Sequence, residues 1–136
     1  MVIGLPFRCG CWHLLCDLQM EVNLGENRVT RTLTIAIADR NSHIRSFLRK
    51  QFAAEGYRIA EVKDGKQLLD LLRSSSPPDL LILDLDIPHV NGLQVLEWLG
   101  AHQSSLPIII HTDYTEFMKH SAVQAAAAFV EKTGYN

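Results

Sequence analysis

Two aspartates, a threonine and a lysine stand at the ends of separate apolar runs, and together these residue types suit phosphoryl chemistry. They are Asp39, Asp84, Thr112 and Lys132. A carboxylate can attack phosphorus and form an acyl phosphate. A hydroxyl and an ammonium group can each bind a phosphoryl oxygen, and a divalent cation with oxygen ligands can spread the charge. Asp84 follows the most apolar run, so it is the candidate nucleophile, with Thr112 and Lys132 as donors.

The elements that must bring these residues together are predicted by the apolar pattern. Short apolar runs alternate with segments of helical spacing, which is typical of parallel β-α-β units with right-handed crossovers. Uninterrupted apolar strands favour a sheet covered on both faces. Ligands of such sheets bind at the carboxyl ends of the strands, so the four residues should meet there. The predicted strands are 33–38, 57–62, 80–83, 108–112 and 129–130, and the predicted helices are 42–54, one around 68–72, one after a cap at Asn91, and 116–125.

Composition excludes several classes of protein. Of 136 residues, 47% are hydrophobic and 21% are charged, which is ordinary for one globular domain with a real core. The formal net charge is -2, and no block of Lys or Arg predicts a nucleic-acid surface. No apolar run approaches the ~18 residues that a membrane span needs. We therefore expect a cytoplasmic protein that binds neither nucleic acid nor membrane.

The first 31 residues lack the regular pattern and contain all three cysteines, Cys9, Cys11 and Cys16. These thiols could supply three soft metal ligands, but no fourth ligand has zinc-site spacing, although His13 is nearby. The segment also has no clear signal-peptide cleavage site. We interpret residues 1–31 as an irregular leader, which a start site assigned too early would explain, and residues 32–136 as the folded domain.

From Leu33 to Lys132 the chain resembles the response-regulator receiver family. The pieces that carry the resemblance are IAIADRN, EGYRIAEVKDG, LLILDLDIPHVNGLQVL, IIIHT and AAFVEK. The resemblance implies an α/β, flavodoxin-like, doubly wound fold with five parallel strands in the order 2-1-3-4-5. It also implies a two-component signalling domain, with no enzymatic activity beyond its own phosphorylation and dephosphorylation.

The resemblance further assigns roles to individual residues. Asp84 would take a phosphoryl group from a histidine kinase or a phosphotransfer protein, with Mg²⁺ as the cofactor. Thr112 would reorient toward the phosphoryl group and Lys132 would bridge it. Phe129 occupies the position of the aromatic switch residue, which would couple phosphorylation to a face that binds a downstream protein partner.

Several residues depart from the family pattern. The family usually has two adjacent acids after the first strand, whereas Asp39 is followed by Arg40. The second acid is normally a direct metal ligand, so the expected set of Asp39, Asp84 and Asp86 should bind Mg²⁺ weakly, with Asp86 as a partial replacement. Asp113 stands where a small residue is usual. It could repel incoming anionic phosphodonors, or it could cap the following helix.

The chain ends at Asn136, four residues after Lys132, whereas the family has a fifth helix there. The expectation is therefore a domain without that helix, either a fragment or one whose exposed apolar surface is covered by a partner or promotes self-association.

Three other functions compete with the phosphoacceptor interpretation. A pseudo-receiver would bind proteins without phosphorylation, and Arg40 and Asp113 favour it. A haloacid-dehalogenase-type phosphatase shares the Asp-x-Asp of LLILDLDIP but needs far more chain after that motif. The six histidines could indicate a metal site or a phosphorelay, but they show no ligand spacing. His89 and His111 flank the proposed site and could tune it.

Overall fold

A five-stranded parallel sheet forms the centre of the domain, as seen in a computed structural model that describes residues 31–132. The strand order is β2-β1-β3-β4-β5. This confirms the fold class and strand order predicted from the sequence. The strands are β1 (Thr34–Ala38), β2 (Arg58–Val62), β3 (Leu80–Leu83), β4 (Ile108–Thr112) and β5 (Ala128–Glu131).

Helices α1 (Ser42–Ala54), α2 (Gly65–Arg73) and α3 (Gly92–Ala101) connect the first four strands. The side chain of a polar residue caps each of them, because the first turn of a helix leaves backbone N–H groups without partners. Asn41 caps α1, Asp64 caps α2, and Asn91 caps α3, where the side chain of Gln94 in turn accepts from Asn91 N. After α1 the chain turns at Gly56, whose φ of 92° is a left-handed conformation that glycine adopts without strain.

Apolar side chains cover both faces of the sheet, as the uninterrupted apolar strands predict. On one face α1 packs against β1 and β3 through a cluster of buried residues: Ile35, Ile37, Ile44, Leu48, Phe52, Leu80 and Ile82. On the other face α2 and α3 contribute to a larger cluster, which includes Leu68, Val95, Leu96 and Leu99 together with strand residues Ala36, Leu81, Leu83, Ile110 and Phe129. These two layers hold the strand ends at fixed positions.

The prediction of one continuous helix over 116–125 was wrong. The chain instead forms a 3₁₀ helix (Thr115–Lys119) and a one-turn helix, α4 (Ser121–Gln124). His120 has an extended conformation between them and caps α4. The alanine run that follows begins as the end of α4, since Ala125 is the C-cap and donates to Ser121 O, but Ala127 donates to Ile108 O and Ala128 opens β5. Pairing with β4 overrides the high helix propensity of alanine.

Two expectations from the sequence lie outside the described residues. Residues 1–30 contain nearly all of the predicted leader, including its three cysteines, and residues 133–136 follow Lys132. Within residues 31–132 no helix follows β5. In the same range no helix is long and apolar enough to cross a membrane.

Candidate functional site

The carboxyl ends of four adjacent strands bring the predicted residues together. Backbone hydrogen bonds continue the strand pairing just past the strands themselves. Asp84 N donates to Ala38 O at 2.9 Å, and Lys132 N donates to Thr112 O at 3.0 Å. Asp39 N donates to Val62 O at 3.2 Å. The strand register therefore places Asp39, Asp84, Thr112 and Lys132 at one edge of the sheet.

Asp84 is buried, and both of its carboxylate oxygens accept hydrogen bonds. Oδ1 accepts from Thr112 Oγ1 at 2.9 Å and from the backbone amide of Asp86 at 3.0 Å. Oδ2 accepts from Lys132 Nζ at 2.6 Å. Hydrogen bonds of this kind stabilise an ionised carboxylate and hold its orientation. A phosphoryl group on Asp84 would start next to the hydroxyl and the ammonium group that the sequence predicted for it.

Lys132 lies between two buried carboxylates. Its Nζ is 2.7 Å from Asp39 Oδ2 and 2.6 Å from Asp84 Oδ2. Burial works to lower the pKa of Lys132, but the hydrogen bonds to Asp39 and Asp84 outweigh it, so the pKa is raised. Burial raises the pKa of Asp39 in spite of its hydrogen bonds from Lys132 and the Asn41 amide. The lysine is therefore held as a cation between the two acids.

The loop after Asp84 approaches the start of α3 closely. A Cβ on Gly92 would lie 2.6 Å from Leu85 Cα and 2.7 Å from Asp84 O, so no side chain fits there. Gly92 N also donates to Leu85 O at 3.0 Å. The Gly of the family motif is thus required by the packing of α3 against the loop that carries Asp84.

Arg40 and Asp86 face each other across the mouth of the site. Arg40 Nη1 lies 3.1 Å from Asp86 Oδ2, and both side chains are substantially exposed, at 62% and 42%. The two residues line a cavity of about 490 Å³, together with Asp39, Asn41, Ile44, Asp84, Asp113, Tyr114 and Lys132. Asp86 therefore turns its carboxylate toward Arg40.

The carboxylates do not form a ready-made metal site. Asp39 and Asp84 direct an oxygen each at Lys132, and Asp86 directs one at Arg40. Within residues 31–132 no group of three or more His, Cys, Asp or Glu side chains is placed to hold a metal ion. One oxygen of each acid that the sequence assigned to Mg²⁺ thus contacts a cation of the chain itself, so a divalent cation would compete with Lys132 or Arg40 at each of them.

The remaining predicted residues have clear positions. Asp113 is exposed and lines the cavity, directly after β4. The cap position of the 3₁₀ helix is Tyr114, which makes no side-chain capping bond, so Asp113 does not hold that position. Phe129 is buried in β5 opposite Ile110.

Sequence reasoning gave too little weight to His111 and missed Arg45. His111 is buried next to Thr112, and burial, reinforced by the charge of Lys132, lowers its pKa from 6.5 to about 4. A histidine inside an otherwise apolar strand was the available signal. Arg45 Nη1 donates to Asp39 O at 2.7 Å and to Arg40 O at 3.2 Å. Its position three residues into α1 gave no such indication.

Comparisons with known proteins agree with this geometry. The family model of the response regulator receiver domain matches residues 35–134. The chain therefore belongs to the response regulator receiver family, the class of two-component signalling domains.

Individual relatives support the same assignment. Sporulation initiation phosphotransferase F of Bacillus subtilis is 34% identical over 82 residues, which are 60% of this chain and 65% of that protein. Response regulator MprA of Mycolicibacterium vanbaalenii is 33% identical over 78 residues, which are 57% of this chain and 33% of that protein. The chain thus matches less than two thirds of either curated relative.

A solved structure gives the same fold. Response regulator protein TrrA of Thermotoga maritima, in complex with Mg²⁺-BeF, has a TM-score of 0.67 and 27% identity. The match covers 77% of this chain and 90% of TrrA.

Proposed function

We propose that this domain is a phosphoacceptor and that Asp84 carries the phosphoryl group. The observation that supports the proposal is the set of contacts on the buried Asp84 carboxylate, 2.6 Å from Lys132 Nζ and 2.9 Å from Thr112 Oγ1. A relative is named a phosphotransferase, which agrees with a role in phosphoryl transfer. The donor is a phosphohistidine on a histidine kinase or a phosphotransfer protein, and the site of action is the cytoplasm.

The transfer exchanges one phosphorus bond for another. A carboxylate oxygen of Asp84 attacks the phosphorus of the phosphohistidine, and a P–O bond forms as the P–N bond breaks. The departing imidazole nitrogen keeps the electron pair and takes a proton from water. Lys132 exchanges its contact with Asp84 for a phosphoryl oxygen, while its bond to Asp39 keeps it in place.

The signal then passes from the site to a protein-binding face. Thr112 Oγ1 turns from Asp84 to a phosphoryl oxygen, which changes the end of β4. Phe129 lies on the neighbouring strand, opposite Ile110 of β4, so a shift of β4 changes the space around the aromatic ring. In this proposal Phe129 transmits the change to a downstream protein partner.

Intact-protein mass spectrometry after incubation with acetyl phosphate tests the proposal. We expect wild type and Asp70→Asn, a matched change at an exposed residue of α2, to gain one phosphoryl group, and Asp84→Asn to gain none. Circular dichroism checks that Asp84→Asn is folded. Full labelling of Asp84→Asn would rule out the assignment. A wild type that neither acetyl phosphate nor a histidine kinase labels would favour the phosphorylation-independent pseudo-receiver.

A further inference from the structure

Arg40 places a cationic side chain at the mouth of the cavity that contains Asp84. Its guanidinium contacts the carboxylate of Asp86 at 3.1 Å, and the backbone amide of Asp86 donates to Asp84 Oδ1 at 3.0 Å. Arg40 is thus linked to the proposed acceptor, Asp84, through Asp86, by one ion pair and one hydrogen bond. A guanidinium has five N–H donors in a planar fork, a shape that matches the oxygens of a phosphoryl group.

The backbone of Arg40 is fixed from below. Arg45 Nη1 donates to Arg40 O at 3.2 Å and to Asp39 O at 2.7 Å. Arg45 is in turn 3.6 Å from Glu61 on β2. Asn41 N also donates to Asp39 Oδ1 at 2.8 Å, so the turn that carries Arg40 is held on both sides. The side chain remains 62% exposed and can move between partners without moving its backbone.

The charges around the cavity require a cation for an incoming phosphoryl group. The acidic and basic side chains among the described lining residues are Asp39, Asp84, Asp86, Asp113, Arg40 and Lys132. Negative charges therefore exceed positive ones by two before a dianionic donor arrives. Lys132 is already shared by Asp39 and Asp84, whereas Arg40 pairs with one exposed acid in a well-solvated position. Of the two cations that line the cavity, Arg40 is therefore the one that can change its partner at the lower cost in free energy.

We propose that Arg40 takes the place of the divalent cation: its guanidinium leaves Asp86, binds an oxygen of the incoming phosphoryl group, and lets the domain accept that group without metal. This inference rests on the proposed phosphoacceptor function and states which cation neutralises the phosphoryl group at the same site. The arrangement of the carboxylates supports it, because Lys132 contacts one oxygen each of Asp39 and Asp84 and Arg40 contacts one oxygen of Asp86, so a metal would meet a competing cation at every one of these acids.

Acetyl phosphate in the presence of EDTA tests this directly. An oxygen of Asp84 forms a bond to phosphorus, the bond from phosphorus to the acetate oxygen breaks, and acetate leaves with the electron pair. We expect wild type to be labelled in EDTA. Arg40→Gln should lose on the order of 10- to 100-fold in that rate, the loss expected for a charge-assisted hydrogen bond. Arg49→Gln, a matched change at an exposed residue of α1, should keep the wild-type rate.

A binding measurement tests the role of Arg40 independently of the phosphorylation of Asp84. Inorganic phosphate in EDTA, at constant ionic strength, should raise the melting temperature of wild type and of Asp84→Asn, and Arg40→Gln should lose the increase. Labelling of wild type only with Mg²⁺ would overturn the role of Arg40 and leave the phosphoacceptor function standing. No stabilisation of wild type by phosphate overturns the role of Arg40 whether or not the protein is labelled.

Discussion

The inner part of the site and its rim differ in burial and in how many contacts hold their side chains. The inner set consists of Asp39, Asp84, Thr112 and Lys132, all buried at strand ends and joined by contacts of 2.6 to 2.9 Å. The rim consists of Arg40, Asp86 and Asp113, which stand on loops beyond the strands and are more exposed. The sequence keeps the family pattern in the inner set and departs from it at the rim.

This contrast follows from the different free-energy cost of losing a partner in a buried and in an exposed position. A buried charge without a partner costs several kcal/mol, so each member of the inner set constrains the others. An exposed ion pair contributes about 0–1 kcal/mol, so rim residues can change without loss of the fold. We infer that the inner set determines whether the domain accepts phosphate, whereas the rim sets its ionic requirement and rate. The following predictions test that division, from the largest expected effect to the smallest.

Lys132→Met should cause the largest loss of stability. It leaves the carboxylates of Asp39 and Asp84 buried without their shared cation, so we expect a loss of about 3–5 kcal/mol in the free energy of unfolding at pH 7. Urea unfolding followed by circular dichroism measures it, with exposed Lys66→Met as the control. A variant as stable as wild type would contradict the tight coupling of the inner set.

The pH dependence of the same variant provides a second check. The pKa of Asp39 is already raised in the folded protein and should rise further without Lys132. The folded state then binds a proton more readily than the unfolded state, so stability falls as pH rises and returns on acidification. Lys132→Met should therefore recover part of its lost stability near pH 5, and a loss independent of pH would point to packing instead.

His111 should make the wild-type protein sensitive to acid. Its folded pKa is about 4 and its usual value is 6.5, so the unfolded state binds the proton more readily between these values. The stabilising contribution is present above pH 6.5 and is lost as pH falls toward 4. Between pH 7 and 5, wild type should lose about 2 kcal/mol more than His111→Gln does. Exposed His43→Gln is the control, and equal losses in all three proteins would contradict the prediction.

The sequence predicted the convergence of the inner set but not the contact between rim residues. The convergence of Asp39, Asp84, Thr112 and Lys132 could be predicted, because apolar strands fix the ends of a parallel sheet. The pairing of Arg40 with Asp86 could not, since it depends on the path of two loops that carry no periodic pattern. The prediction of a continuous helix over 116–125 failed at His120, which has an extended conformation between the 3₁₀ helix and α4 although it is neither glycine nor proline.

Arg40→Asp should strengthen Mg²⁺ binding. The change removes a competing guanidinium, adds a carboxylate ligand and alters the local charge by two units. We expect about tenfold tighter binding by calorimetric titration, which is ~1.4 kcal/mol. Arg49→Asp makes the same charge change on α1 and should have little effect. Unchanged or weaker Mg²⁺ binding by Arg40→Asp would show that Arg40 does not compete with the metal.

Asp113 should have the smallest effect, on rate alone. It is exposed at the edge of the cavity, where its carboxylate repels an anionic donor, and salt should screen this repulsion. Asp113→Ala should therefore speed labelling by acetyl phosphate about threefold at low salt and less at high salt.

The alternative role for Asp113 is that of a helix cap, and it makes an opposite prediction. A lost cap would reduce the free energy of unfolding by ~1 kcal/mol and leave the labelling rate unchanged. Tyr114, not Asp113, holds the cap position of the 3₁₀ helix, which favours the gate. Asp70→Ala, at an exposed residue of α2, controls for the overall loss of a negative charge. A labelling rate for Asp113→Ala that equals the wild-type rate at every salt concentration would eliminate the gate, and the rim would then act through Arg40 and Asp86 alone.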